Sequence, residues 1–260
     1  MPQLRTAVKL SSLGLPFKKA LPIVAEMGAA AVEIDARGEF NPQSVSGTGF
    51  RQIRKWLDDF NLSVCAVGFQ TRRGYDSTDD LQRRVDATKR AIDFAYELGT
   101  NVVVNQVGAI PDSMEDPRWS GLVDALTDLG NHSLRAGAFL AMKTGSESGE
   151  RMKALIDALP EGSVGVTFDP GGLIINGHSA NEAVTHLAQH VMYVHARDGV
   201  QDLAQGRGIE VELGRGSADF PTLLGTLEEA GYRGYFTVER DRSRNPVAEI
   251  ANAVQYLKQM

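Results

Sequence analysis

A single cysteine, Cys65, in 260 residues excludes an intrachain disulfide and any metal cluster built on thiolates. The chain also has no excess of positive charge: 27 Lys and Arg stand against 33 Asp and Glu, a formal −6. Duplex binding rests on phosphate neutralisation by lysine and arginine, so nucleic acid is not the expected partner. No apolar run reaches the roughly 18 residues of a membrane span. The opening MPQLRTAVKLSSLGL lacks the continuous apolar stretch of a secretory signal. A cytoplasmic compartment and no membrane partner are therefore expected. What is present is 42% hydrophobic and 23% charged residues, the composition of a globular chain. At this length it can bury about three quarters of its unfolded surface.

Short apolar runs at 6–10, 31–36, 63–69, 101–106, 138–144, 164–169, 191–198 and 235–240 have strand length, and most are rich in Val, Ile or Phe. Little apolar/polar alternation runs through them, as in strands covered on both faces. Between them lie helix-periodic segments. Phe50, Ile53, Leu57 and Phe60 share one face; so do Met152, Leu155, Ile156 and Leu159, and Phe220, Leu223, Leu224 and Leu227. Ser179-Ala-Asn-Glu182 reads as a capping box, and Asp116-Pro117 and Asn245-Pro246 place a cap before a first-turn proline. Gly28, Gly99, Gly137 and Gly231 stand where helices stop before strands. Eight strand–helix units without an intervening linker predict an α/β chain folded as a single (β/α)8 TIM barrel, one domain over 1–260. A doubly wound open sheet is the rival, but SSLGLPF follows the first strand where a dinucleotide fold would favour G-x-G-x-x-G.

In such a barrel the chemistry sits at the carboxyl ends of the strands. Those ends carry Lys9, Glu33, Arg72, Asn105, Lys143, Asp169, His195, Arg197 and Glu239, among others. Buried strands have no need of charged ends for stability, because an uncompensated buried ion costs several kcal/mol. Asp169, His195 and Glu239 come from three neighbouring strands, and two carboxylates with an imidazole can hold a divalent ion. Each alone has a plainer reading: Asp-Pro-Gly-Gly is turn chemistry, a lone histidine can sit satisfied in a core, and a glutamate can pair with an arginine. Arginines in the strand-end loops, Arg72, Arg197 and Arg215 among them, suit an anionic small molecule, since guanidinium pairs bidentately with phosphate or carboxylate. The glycine-rich pieces 206–217 and 169–172 could bring backbone amides to a phosphate.

AAAVEID around Glu33, VGVTFDPGG (164–172), YVHARDG (193–199) and GYRGYFTVER (231–240) together resemble the xylose isomerase-like TIM barrels, the sugar phosphate isomerase/epimerase group, over essentially the whole chain. That resemblance implies a divalent metal (Mn, Mg, Zn or Fe) held by a strand-5 glutamate, Asp169, His195 and Glu239. It implies proton transfer at the carbon beside a carbonyl of a sugar, sugar acid or phosphate ester. Oligomers are common in the group, so a homo-oligomer is possible. The strand-5 position holds Lys143 instead, in LAMKTGSES (140–148), and Glu147 could substitute from the loop. Lys143 could take the ion's place and pair with Asp169 and Glu239, lose its proton and act as base or ligand, or swing away. The first is the expected resting state. The reading that follows is an isomerase or epimerase with Glu239 and Lys143 as catalytic groups, and Glu33, Arg72, Asn105, Arg197 and Arg215 as substrate contacts. Its partner is a carbohydrate or anionic sugar derivative. The alternative is a non-catalytic small-molecule-binding barrel derived from an isomerase. The endonuclease branch of the group needs several strand-end histidines, where strands 3 and 4 offer Gln70 and Asn105.

Overall fold

The computed structural model describes residues 4–202 and 207–260; Gly206, the first residue of the glycine-rich piece, and Met1–Gln3 lie outside that range. Eight parallel strands close into a barrel: β1 (Thr6–Lys9), β2 (Ala31–Asp35), β3 (Ser63–Gly68), β4 (Val102–Asn105), β5 (Phe139–Lys143), β6 (Gly165–Phe168), β7 (Val191–Ala196) and, as the eighth, β10 (Phe236–Val238). The closing pairs are β1 with β10 and β1 with β2. An antiparallel ribbon, β8 (Asp198–Val200) with β9 (Ile209–Val211), stands between the seventh and eighth barrel strands. The helices among the described residues are α1 (Phe17–Met27), α2 (Gly47–Asp58), α3 (Leu81–Leu98), α4 (Pro117–Ala136), α5 (Gly149–Asp157), α6 (Pro170–Ile175), α7 (Ala180–Leu187), α8 (Phe220–Glu229) and α9 (Pro246–Lys258). None of them is long and apolar enough to cross a membrane. The architecture is a TIM barrel.

The local signals act as the sequence suggests, with exceptions. Gly28, Gly99, Gly137 and Gly231 all adopt positive φ, between 77° and 87°, a region that costs a side-chain-bearing residue energy. The Ser179 hydroxyl accepts the Glu182 amide, and Asp116 accepts that of Arg118. Asn245 makes no side-chain cap, although Pro246 begins α9. Phe60 is exposed beyond the end of α2, which buries only Ile53 and Leu57. Leu10 enters a 3-10 turn rather than extending β1. The expected strand 191–198 stops at Ala196, because Asp198 turns into the ribbon. Asp169-Pro-Gly-Gly is a helix start: Asp169 caps α6, its Oδ1 accepting the Gly172 amide at 2.8 Å.

Strand alternation builds the site. Ala7, Ala31, Cys65, Ala141 and Tyr193 pack together in one cluster inside the barrel, while Val8, Val32, Leu140, Met142 and Val194 join the larger core beneath the helices. Side chains two residues apart share a face of a strand. Beyond Ala7, Ala31, Ala141 and Tyr193 the next inward positions are therefore Lys9, Glu33, Lys143 and His195, and beyond Thr167 and Thr237 they are Asp169 and Glu239. Register confirms the level, with Lys9 opposite Glu33 and Thr237 opposite His195. The barrel is filled below by small residues and one tyrosine, and capped above by ions.

Candidate active site

Glu239 is the hub. Its Oε1 accepts the Lys9 ammonium at 2.5 Å, and its Oε2 accepts the Lys143 ammonium at 2.5 Å. Lys143 also reaches Asp169 Oδ2 at 3.1 Å. His195 stands between two carboxylates: Nε2 lies 2.6 Å from Glu33 Oε2, and Nδ1 lies 2.9 Å from Glu239 Oε2. The second contact is off the ring N–H direction, so it is ionic rather than a formed hydrogen bond. Glu33 accepts a further bond from the Tyr193 hydroxyl at 3.1 Å. Arg197 closes one side, with Nη1 on Asp169 Oδ2 at 2.8 Å, Nε on Glu210 Oε1 at 3.2 Å and Nη2 on Asp241 Oδ2 at 2.8 Å. Arg240 bridges Glu210 and Glu249.

These ions are buried: Asp169 and His195 are 0% exposed, Glu33 1% and Glu239 3%. Such burial is tolerable only because they pair. Glu33, Asp169, Glu210, Glu239, Asp241 and Glu249 face Lys9, Lys143, Arg197 and Arg240, and a protonated His195 supplies a fifth positive charge against these six acids. The titration directions agree. Burial would raise the Glu239 carboxyl, but His195, Lys143 and Lys9 hold it well below the carboxylate range. Burial opposes ionisation of Asp169 and Glu33 too, and is outweighed by Arg197 and Lys143 for the first and by His195 and Lys9 for the second. Burial disfavours the His195 cation, yet Glu239 and Glu33 raise its pKa above the ordinary histidine value. The same carboxylates raise that of Lys9 against its burial.

One ligand atom each from Asp169, His195 and Glu239 falls within 4.8 Å of the others, so these residues are a candidate metal set. The off-axis Nδ1 is the kind of buried, unbonded nitrogen a metal would take. Lys143 argues the other way. Its ammonium already touches Asp169 Oδ2 and Glu239 Oε2, the oxygens an ion between them would need, and a divalent ion there would sit against a like charge. As arranged, the lysine fills the ion's place and the set does not fit a metal. Glu147 offers no replacement, since its oxygens accept from Ile110 and Ser146.

The other expected contacts divide. Glu33 and Arg197 belong to the cluster, but as tethers of His195 and Asp169. Asn105 has the parity of Val103, not of the inward Val104; it turns to the helix layer and bonds Thr71 and Tyr75. Arg215 is exposed, 3.6 Å from Glu212, and makes no contact with the cluster. Arg72 is exposed at a cavity beside β2 and β3. Two participants, Tyr193 and Glu210, escaped sequence reasoning, and a third, Lys9, was given no role there. Lys9 was visible as a strand end. Tyr193 was detectable by its spacing two before His195. Glu210 gave no signal, because it arrives on the ribbon. Asp198 serves the backbone: its carboxylate accepts the amides of Gly199, Gly214, Gly216 and Ala218 at 2.8–3.1 Å, fixing the glycine-rich loop.

Known proteins bear on this geometry. An inosose dehydratase from Geobacillus thermodenitrificans (strain NG80-2) is 24% identical over 240 residues, covering 80% of each chain. A xylose isomerase domain protein from Planctomyces limnophilus superposes with a TM-score of 0.87 at 24% identity, over 99% of this chain and 97% of that one. A xylose isomerase-like TIM barrel protein from Mycobacterium smegmatis, solved in complex with magnesium, gives 0.79 at 18% identity over 99% and 96%. The structure of an L-ribulose 3-epimerase gives 0.76 at 17% identity over 98% and 93%. At these identities the structural likenesses speak to fold. The family model described as xylose isomerase-like TIM barrel matches residues 21–260. With the barrel, the strand-end ions and this match in agreement, the chain belongs to the xylose isomerase-like TIM barrel family.

Proposed function

We propose that this chain processes a keto sugar or keto polyol by moving a proton at the carbon beside the carbonyl. Epimerisation, aldose–ketose isomerisation and removal of water beside a ketone all share that step, so the reading covers both the inosose dehydratase and the epimerase among the similar proteins. Glu239 is the group that takes and returns the proton. Lys143 and the His195 cation, both against the same Glu239 oxygen, face the carbonyl oxygen as it gains charge. No step passes through a metal. A carboxylate held by three cations is a weak base; substrate oxygens that draw one of those cations away strengthen it, which couples binding to proton removal. The observation that carries the reading is Lys143 bridging Asp169 and Glu239 at the barrel mouth.

The test is solvent deuterium exchange into a panel of ketoses and inososes, with the protein treated with EDTA. Exchange that survives chelation and disappears in Glu239→Gln and Lys143→Met supports the proposal; no exchange with any compound refutes it. A second reading, a non-catalytic sugar-binding barrel, is favoured by closure of the network, where Glu239 is buried and already held by Lys9, Lys143 and His195. Calorimetric binding of a sugar without exchange would support that reading.

A further inference from the structure

A concavity of about 660 Å³, lined by no member of the charge cluster, lies on the rim where β2, β3 and α3 meet. Six arginines line it, Arg37, Arg72, Arg73, Arg83, Arg84 and Arg90, with Asp79 and Asp80 as the acids, a local excess of four positive charges in a chain of net −6. They converge from three separate segments. Arg37 follows β2 and Arg72 and Arg73 follow β3. Arg83 and Arg90 share a face of α3, seven residues apart. Two are already committed: Arg73 pairs with Asp79, and Arg84 donates to the backbone carbonyls of Ser77 and Asp79, its buried Nε left without a partner. Arg37, Arg72, Arg83 and Arg90 have no ion pair among the described residues, and Arg37 faces only the Phe69 ring, 5.8 Å from its centroid.

Four unpaired guanidiniums around one hollow repel one another unless an anion joins them. Guanidinium is the side chain suited to bidentate phosphate contact, and the hollow falls within the roughly 300–1,000 Å³ of small-molecule sites. Ala36, Pro42, Phe69 and Ala87 supply an apolar wall. We propose that this cavity binds a small organic molecule carrying two phosphates, with its apolar body against Phe69. Neither Glu239 nor Lys143 lines it, and the proposal does not depend on the reaction proposed for them.

The test is calorimetry on the whole protein at about 20 mM salt, with ADP and adenosine as probes, on the wild type and on Arg83→Gln/Arg90→Gln. Both substituted side chains are exposed and outside the barrel-mouth network. Expected are saturable ADP binding, no adenosine binding, at least tenfold weaker ADP binding in the double variant with an unchanged melting temperature, and at least tenfold weakening at about 200 mM salt. Absence of ADP binding, or equal binding by the double variant, overturns the proposal. So does tighter binding of a single-stranded RNA or of phosphatidylglycerol vesicles that ADP fails to displace, since the patch would then be a macromolecular surface.

Discussion

Lys143→Glu is the most informative single change, because it restores the carboxylate that the family resemblance expects at this place. In wild type the ammonium lies 2.5 Å from Glu239 and 3.1 Å from Asp169. A unit positive charge about 4 Å from a divalent ion opposes it by about 8 kcal/mol at an effective dielectric near 20. Micromolar affinity is itself about 8 kcal/mol, so Lys143 is sufficient to abolish it. Replacement by glutamate turns that repulsion into attraction and supplies a further oxygen ligand. It also strands buried carboxylates without their cation, which costs roughly 3–5 kcal/mol when no metal is added. For a chain of this size that lowers Tm by roughly 6–20 °C. The assay is thermal unfolding in EDTA and in excess Mn²⁺, with calorimetric titration of the metal. Wild type should be indifferent to Mn²⁺. Lys143→Glu should melt lower in EDTA and recover in Mn²⁺, by about 2.7 kcal/mol at a hundredfold excess over Kd. Lys143→Met should melt lower and not recover. Micromolar Mn²⁺ binding by wild type, or a glutamate variant blind to the metal, would refute the assignment of the ion's place to the lysine.

Stability should peak near neutral pH. The depressed carboxyls of Glu239, Asp169 and Glu33 stabilise the fold above the ordinary carboxylate range, and that contribution is lost as pH falls through their lowered folded values. The raised pKa of His195 contributes fully below about 6.5 and is lost as pH climbs through its raised folded value; urea midpoints at about pH 3–10 check both limbs, and a neutral His195 ring by ¹⁵N NMR at pH 7 would contradict the second. Glu33→Gln removes one of the two carboxylates facing His195 and should move its titration downward, followed by the same NMR signal. Asp198→Ala leaves four backbone amides without their acceptor and should cost at least about 3 kcal/mol, with hydrogen exchange accelerated at Gly214, Gly216 and Ala218; unchanged exchange there would show that the carboxylate does not hold the loop.

Much of the barrel was legible because its code is local. Short buried runs, positive-φ glycines and caps each follow from a few adjacent residues, and alternation alone carries Ala141 to Lys143 and Tyr193 to His195 on one face. The pairing of Lys143 with Asp169 and Glu239 followed from asking what an ammonium does where a ligand carboxylate was expected. What stayed hidden depends on distant segments or on a single residue of parity. Asn105 ends β4 as a site residue should, yet the strand's phase turns it toward Tyr75. Arg197 is spent on Asp169, Glu210 and Asp241, and nothing near it in sequence announces Glu210. Asp198 stands in the seventh segment three residues after His195, but three of its four amide partners are 16–20 residues away.

The ribbon between the seventh and eighth barrel strands has a consequence for how this protein can diverge. It is fastened at its root by Asp198 and, one pair further along, by Glu210, which meets Arg197 and Arg240. Neither described strand of the ribbon pairs with a strand of the barrel. Substitutions at its other described positions, Val200, Ile209 and Val211, can alter this edge of the charge cluster while leaving the packed strands untouched, so descendants of this scaffold have a segment free to acquire new selectivity without first surrendering the fold.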